Sequence, residues 1–222
     1  GGSGIVVIRY AGTTDLANGG SDAPGTGTAT DYRVHTFTSS GTFSLTGGPI
    51  NASITGDITG GGSLTADASA GKLTLTGKNV YTGNTEIAGG AVEITGTLGH
   101  TTDAVAPDPA IGSYSGTITN NAELIINTAA TQTLGGVISG TGNLTQAGTG
   151  TTILTQNNTY DGTTTITGGV LQLGTGTGGS AAGMVGDGDI IFAPADSPTV
   201  APTPTLRINR NDALSFDRDI TG

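Results

Sequence analysis

Residues 140–173 read GTGNLTQAGTGTTILTQNNTYDGTTTITGGVLQL, and residues 60–94 read GGGSLTADASAGKLTLTGKNVYTGNTEIAGGAVEI. Laid over one another at a spacing of roughly 80 residues, the two stretches share an ordered set of signposts. Leu64 falls on Leu144, Tyr81 on Tyr160, and Ile87-Ala88-Gly89-Gly90 on Ile166-Thr167-Gly168-Gly169. The likeness spreads outward from there. Ile58-Thr59-Gly60 recurs as Ile138-Ser139-Gly140 and again as Ile220-Thr221-Gly222. Leu124-Ile125-Ile126-Asn127 recurs as Leu206-Arg207-Ile208-Asn209, and Leu134 as Phe216. Residues 46–222 are therefore a repeat region with boundaries near 58–60, 138–140 and 220–222, and residues 1–45 form an entry segment of different character.

Inside each unit, short alternating runs such as Lys72-Leu73-Thr74-Leu75-Thr76 and Val170-Leu171-Gln172-Leu173 lie between glycine-rich corners. Alternation with period two puts Leu73, Leu75, Val92 and Ile94 on one face and Thr or Glu on the other. Nothing gathers at helical spacing over three turns, so the fold is expected to be all-β. Long-period self-similarity selects a β-solenoid over a sandwich or barrel, because a coil touches only its neighbours and can reuse their positions. Roughly three to four coils per repeat are expected. The expected inner stack is Ile58, Leu64, Leu73, Leu75, Ile87, Val92, Ile94, Leu124, Ile126, Leu134, Ile138, Leu144, Leu154, Ile166, Leu171, Leu173, Leu206, Ile208, Phe216 and Ile220. Thr is expected outside, in ladders. Asn79, Asn84, Asn157 and Asn158 are expected at corners, hydrogen-bonding along the stack.

Composition narrows the function. The 222 residues include 41 Gly but only 4 % aromatics, with 17 acidic against 7 basic side chains, for a net charge of -10. A chain so poor in cations lacks the clustered Lys and Arg that displace counterions from nucleic acid or hold an anionic membrane. With no cysteine there is no disulfide, thiolate metal site or thiol nucleophile. No apolar run is long enough to span a bilayer, and Gly1-Gly2-Ser3-Gly4 does not open a signal peptide, so a mature chain, a cleaved product or an excised fragment is expected.

The stretches quoted above resemble the autotransporter-associated β-strand repeat of bacterial passenger domains, whose pattern runs G-x-G-x-L-T-x-x-G-x-G-T-x-x-L-T-x-x-N-T-Y-x-G-x-T-x-I-x-x-G-x-L. The second stretch follows it nearly throughout; the first departs at Asp67-Ala68-Ser69-Ala70 and at Val80. The resemblance implies a right-handed parallel β-helix exposed at a bacterial surface, with no catalytic residues to carry over. The entry segment resembles another module. Gly4-Ile5-Val6-Val7-Ile8-Arg9-Tyr10, followed by His35-Thr36-Phe37-Thr38-Ser39-Ser40-Gly41-Thr42-Phe43, is similar to glycine-rich phage tail-fibre and giant surface proteins.

Candidate chemistry is sparse. His35 and His100 sit near no serine or carboxylate in triad order, and the scattered cations do not make a lyase groove, so an enzyme is not expected. No cofactor is called for. Asp187-Gly188-Asp189 offers hard oxygens for calcium, but its spacing fits neither an EF-hand nor a β-roll, and a turn is the commoner use of such residues. Thr-rich ranks do not recur in every coil, which disfavours ice binding. The expected role is a structural segment of an extracellular, cell-surface or secreted fibre, with itself as partner and with no nucleic acid or membrane insertion. Head-to-tail assembly is expected through strand addition by Ile5, Val6, Val7, Ile8 and Tyr10. The alternative is an adhesin passenger or phage tail-fibre module that grips a glycan or host receptor with its inserts, two of which, 194–204 and the segment around Pro107 and Pro109, are expected to leave the solenoid at one place.

Overall fold

The computed structural model describes residues 51–99, 112–176, 183–193 and 203–222. Nearer the N-terminus it describes the backbone of five strands, Val6–Ala11, Ala17–Asn18, Ser21–Pro24, Tyr32–Phe37 and Phe43–Leu45. The repeat region is a parallel β-helix whose coils run through three faces. On the first, Leu64 lies on Phe43, Thr85 on Leu64, Ile118 on Thr85, Ile138 on Ile118 and Thr159 on Ser139. The second carries the longest column among the described residues: Ala52, Leu73, Val92, Leu124, Leu144, Thr164, Ile190 and Ile220. On the third, Lys78–Asn79 pairs with Thr97–Leu98, and above them Tyr114, Leu134, Leu154, Leu173 and Ile208 stack in register. Where no insert intervenes, Leu124, Leu144 and Thr164 succeed one another every 20 residues.

The alternation read from sequence decides which side chains turn inward. Strand Glu123–Ile126 buries Leu124 and Ile126 while Glu123 and Ile125 remain partly exposed, and Thr151–Leu154 repeats the pattern. Corners need glycine where coils close tightly. Gly90 and its counterpart Gly169 both have positive φ, and a Cβ on either would run into a carbonyl oxygen of the coil below, Gly71 and Gly148 respectively.

Equivalent residues of the two repeats do not occupy one face. Thr85 lies in the first-face column and its counterpart Thr164 in the second; Val92 lies in the second and Leu171 in the third. Ile138 is on the first face and Ile220 on the second, whereas Ile58 lies below Val80 at the third. One repeat therefore climbs three coils and one face more.

Most of the expected inner residues are fully buried in one continuous core. Ile58, Leu206 and Phe216 are partly buried against it. Two differ from expectation: Ile208 and Ile220 are 53% and 48% exposed. They belong to the last described ranks, whose strands pair only with the coil beneath. The inserts also differ from expectation. The segment 100–111 interrupts the third face between Leu98 and Gly112, whereas 194–202 joins Phe192 on the second face to Thr205 on the third.

In the entry segment Val6–Ala11 pairs antiparallel with Tyr32–Phe37, which pairs on its other edge with Ser21–Pro24. Ile5 and His100 lie outside the described residues.

Candidate functional site: the joint between coils

Where one coil meets the next, polar side chains inside the solenoid bond the two together. Asn79 is fully buried. Its Oδ1 accepts the backbone N–H of Ile58 in the coil below (3.3 Å), and its Nδ2 donates to the carbonyl of Thr97 in the coil above (3.2 Å) and to that of Gly77 (3.0 Å). Asn158 repeats the arrangement: Oδ1 accepts from Ile138 N–H (2.8 Å), and Nδ2 donates to Met184 (2.5 Å) and to Gln156 (3.2 Å). Each carboxamide is a staple through three levels. A second conserved geometry lies beside it. Tyr81 bonds Thr85 (2.6 Å) and Tyr160 bonds Thr164 (2.7 Å), hydroxyl to hydroxyl, inside the core.

The residues N-x-Y-x-x-x-T thus do one job in both copies. A family model described as passenger-associated-transport-repeat matches residues 68–94 and 144–173. Both segments are similar to that repeat. No curated protein and no solved structure matches the chain. The match makes these two segments similar to passenger-type repeats, and the geometry says what their shared polar signature is for.

The Asn, Tyr and Thr of each repeat are buried because they satisfy one another and the backbone; unpaired, each would be costly there. Burial pushes the Tyr160 phenol up to about 12, against its bond to Thr164. Burial also raises Tyr81 beyond the ordinary phenol range, with nearby Tyr114 adding to the effect. The Tyr114 hydroxyl joins that cluster, bonding Thr85 (2.8 Å) and donating to Gly83 carbonyl (2.5 Å), its ring 5.4 Å from that of Tyr81.

Elsewhere in the core, buried glutamines do similar work. Gln132 accepts from Leu98 N–H (2.8 Å) and donates to Leu98 carbonyl (2.9 Å), so its carboxamide replaces a strand at the base of the 100–111 insert. Gln146 accepts from Thr152 Oγ1 (2.5 Å) and donates to Gly148 carbonyl. At the exposed corners Asn51, Asp57, Asn84, Asn143 and Asp189 accept the backbone N–H of Lys72, Lys78, Thr117, Thr163 and Asp219 respectively. On the outer second face Glu93 holds Lys72 below (2.5 Å) and Asn127 above (2.7 Å). Burial raises the Glu93 carboxyl, but the bonds from Lys72 and Asn127 outweigh it and hold the group below its ordinary value.

Asn79 and Asn158 were legible as stack-bonding residues; the inward Thr85, Thr164 and Thr152 and the buried Gln132 and Gln146 were not. Thr fits a strand facing either way; the direction of Thr85 and Thr164 is set by a tyrosine four residues earlier, a signal the sequence does contain, whereas Thr152 turns inward to Gln146. Of the calcium candidates, Asp189 caps the next coil and Asp187 faces Arg218 (3.8 Å). Among the described residues no three His, Asp or Glu side chains converge as a metal site. The Val6, Val7, Ile8 and Tyr10 backbone pairs with Phe37, Thr36, His35 and Arg33.

Proposed function

We propose that this chain is a stiff structural shaft of a bacterial surface or secreted protein, carrying no catalysis of its own. The observation behind the reading is the joint: polar groups that a catalytic groove would leave free are turned inward and used up in binding coil to coil. The passenger-type repeat supports an extracellular or surface location. Externally added protease should remove an epitope-tagged chain from intact cells of its source without lysis. Protection until lysis would overturn the location; cleavage of a polysaccharide panel by purified protein would overturn the structural role.

Assembly into fibres is the finer part of the proposal. Val6–Ala11 pairs on one edge only among the described residues, leaving an edge able to take a strand from a second copy. Deleting residues 1–10 should then abolish filaments seen by electron microscopy, and undiminished filaments would remove that strand from the assembly.

A further inference from the structure

The lower end of the solenoid is built differently from the coils above it. Between coils the described ladders are parallel on all three faces. Beneath the first-face strand Phe43–Leu45 the direction reverses: Ala17 lies opposite Leu45 and Asn18 opposite Ser44, antiparallel. The other edge of Phe43–Leu45 carries Leu64–Ala66, so Ala17–Asn18 fills the place in which a parallel coil from below would sit. The second face is covered in another way. Asn51–Ile54 pairs with Lys72–Leu75 above it and, among the described residues, with no strand below. Val6–Ala11 comes within 8 Å of it, Cα to Cα, without pairing; two sheets packed face to face stand about 10 Å apart, so the strand lies along the edge and not over the face. A two-residue antiparallel strand offers too few backbone groups to seat a further one, and short strands of this kind blunt a sheet edge.

We propose that the entry segment is an end cap, and that the partner it excludes is a second copy of this chain. Coils hold one another by contact between neighbours alone, so a bare end takes any coil of matching register, and a second copy carries such coils. The register can be named. The inner second-face column runs from Ala52 at the bottom to Ile220, which is 48% exposed. With a second copy's Ile220 set beneath Ala52 the column continues unbroken, and Thr221 falls under Ser53 on the outer side. The first-face stretch that precedes Ile220 then needs the place beneath Phe43–Leu45, which Ala17–Asn18 already holds. The cap thus closes the lower end to coil stacking and leaves contact between copies to strand edges such as that of Val6–Ala11.

The test uses the folded full chain with a specific protease site in place of residues 38–42 and with Ser53→Cys and Thr221→Cys in this cysteine-free sequence. Uncut chains should stay unlinked under mild oxidation. Cutting releases the entry segment, and the chains should then join into a ladder of disulfide-linked multimers on a non-reducing gel, because residues directly opposite in adjacent parallel strands lie within disulfide reach. A ladder from the uncut chain, or none from the cut chain at unchanged β circular dichroism, would overturn the proposal. Ala17→Pro with Asn18→Pro opens the same edge without cleavage, by removing both N–H donors of the short strand, and should give the same ladder; its absence there counts equally against the cap. Filaments built through Val6–Ala11 do not bring residues 53 and 221 together, and they lose their strand when the segment is cut away, so the fibre reading and this one fail separately.

Discussion

A buried asparagine is suited to the gap between coils because its carboxamide carries an acceptor and a donor on one short arm, and parallel coils present an N–H and a carbonyl on either side of it. Asn158→Ala should therefore leave Ile138 N–H buried without an acceptor, costing about 2–3 kcal/mol by chemical denaturation and speeding hydrogen exchange at that amide. Asn143→Ala, which removes an exposed cap on Thr163, should cost less than about 1 kcal/mol. Equal costs would mean that Asn158 is no more than a corner residue. The tyrosines add a test in alkali. The folded Tyr160 phenol titrates near 12 and an unfolded one near 10, so the unfolded chain releases the proton first and stability falls as pH rises from about 10 towards 12. Tyr160→Phe should remove that part of the alkaline loss, measured as the urea midpoint across the same range. Sequence showed that these asparagines serve the stack, but not that they lie inside it; composition ranks Asn as exposed, and only its pairing with a backbone N–H overrides that.

Strands were legible from alternation, since Leu73, Leu75, Val92 and Ile94 turn inward as their spacing requires. The face each strand joins was not legible, because a period of two says which side of a strand is dry and nothing about its azimuth. Gln146 shows the limit: it occupies the column of Ile126 and Ile166, where the pattern calls for an aliphatic residue, and is tolerated because Thr152 and Gly148 satisfy it. On the outer side the same columns carry charge. Glu93 ties the strand Thr85–Ile94 to Lys72 below and Asn127 above. Its folded pKa lies below the ordinary 4.5, so its contribution is present above that value and lost as pH falls through the folded one. Urea midpoints of wild type and Glu93→Gln should therefore differ at neutral pH and converge as pH falls below the ordinary 4.5 and through the lowered value of the folded carboxyl. A difference that stays constant throughout that fall would mean the clasp acts through packing alone.

At the scale of the whole solenoid the repeat period was legible, but its meaning was not. Matching Ile58, Ile138 and Ile220 suggests a whole number of coils, and the structure places them on three different faces. The inserts hide the true step: between Thr85 and Ile118 one coil takes 33 residues, whereas between Ile118 and Ile138 it takes 20. The unit that folding recognises is thus the 20-residue coil, and stability should behave as a sum of coils and their joints. Deleting residues 124–143 removes one such coil. Leu144 then descends onto Val92, Gln146 onto Ile94 and Leu154 towards Tyr114, so every inner column closes again. The Gln132 clasp on Leu98 is the main bond lost. Deleting only 124–133 instead brings third-face residues onto the second face and leaves the corner glycines out of step. The longer deletion should keep the wild-type β circular dichroism and protease resistance and the shorter one should lose both; if the shorter deletion proved the milder, the coil would not be the unit that holds this shaft together.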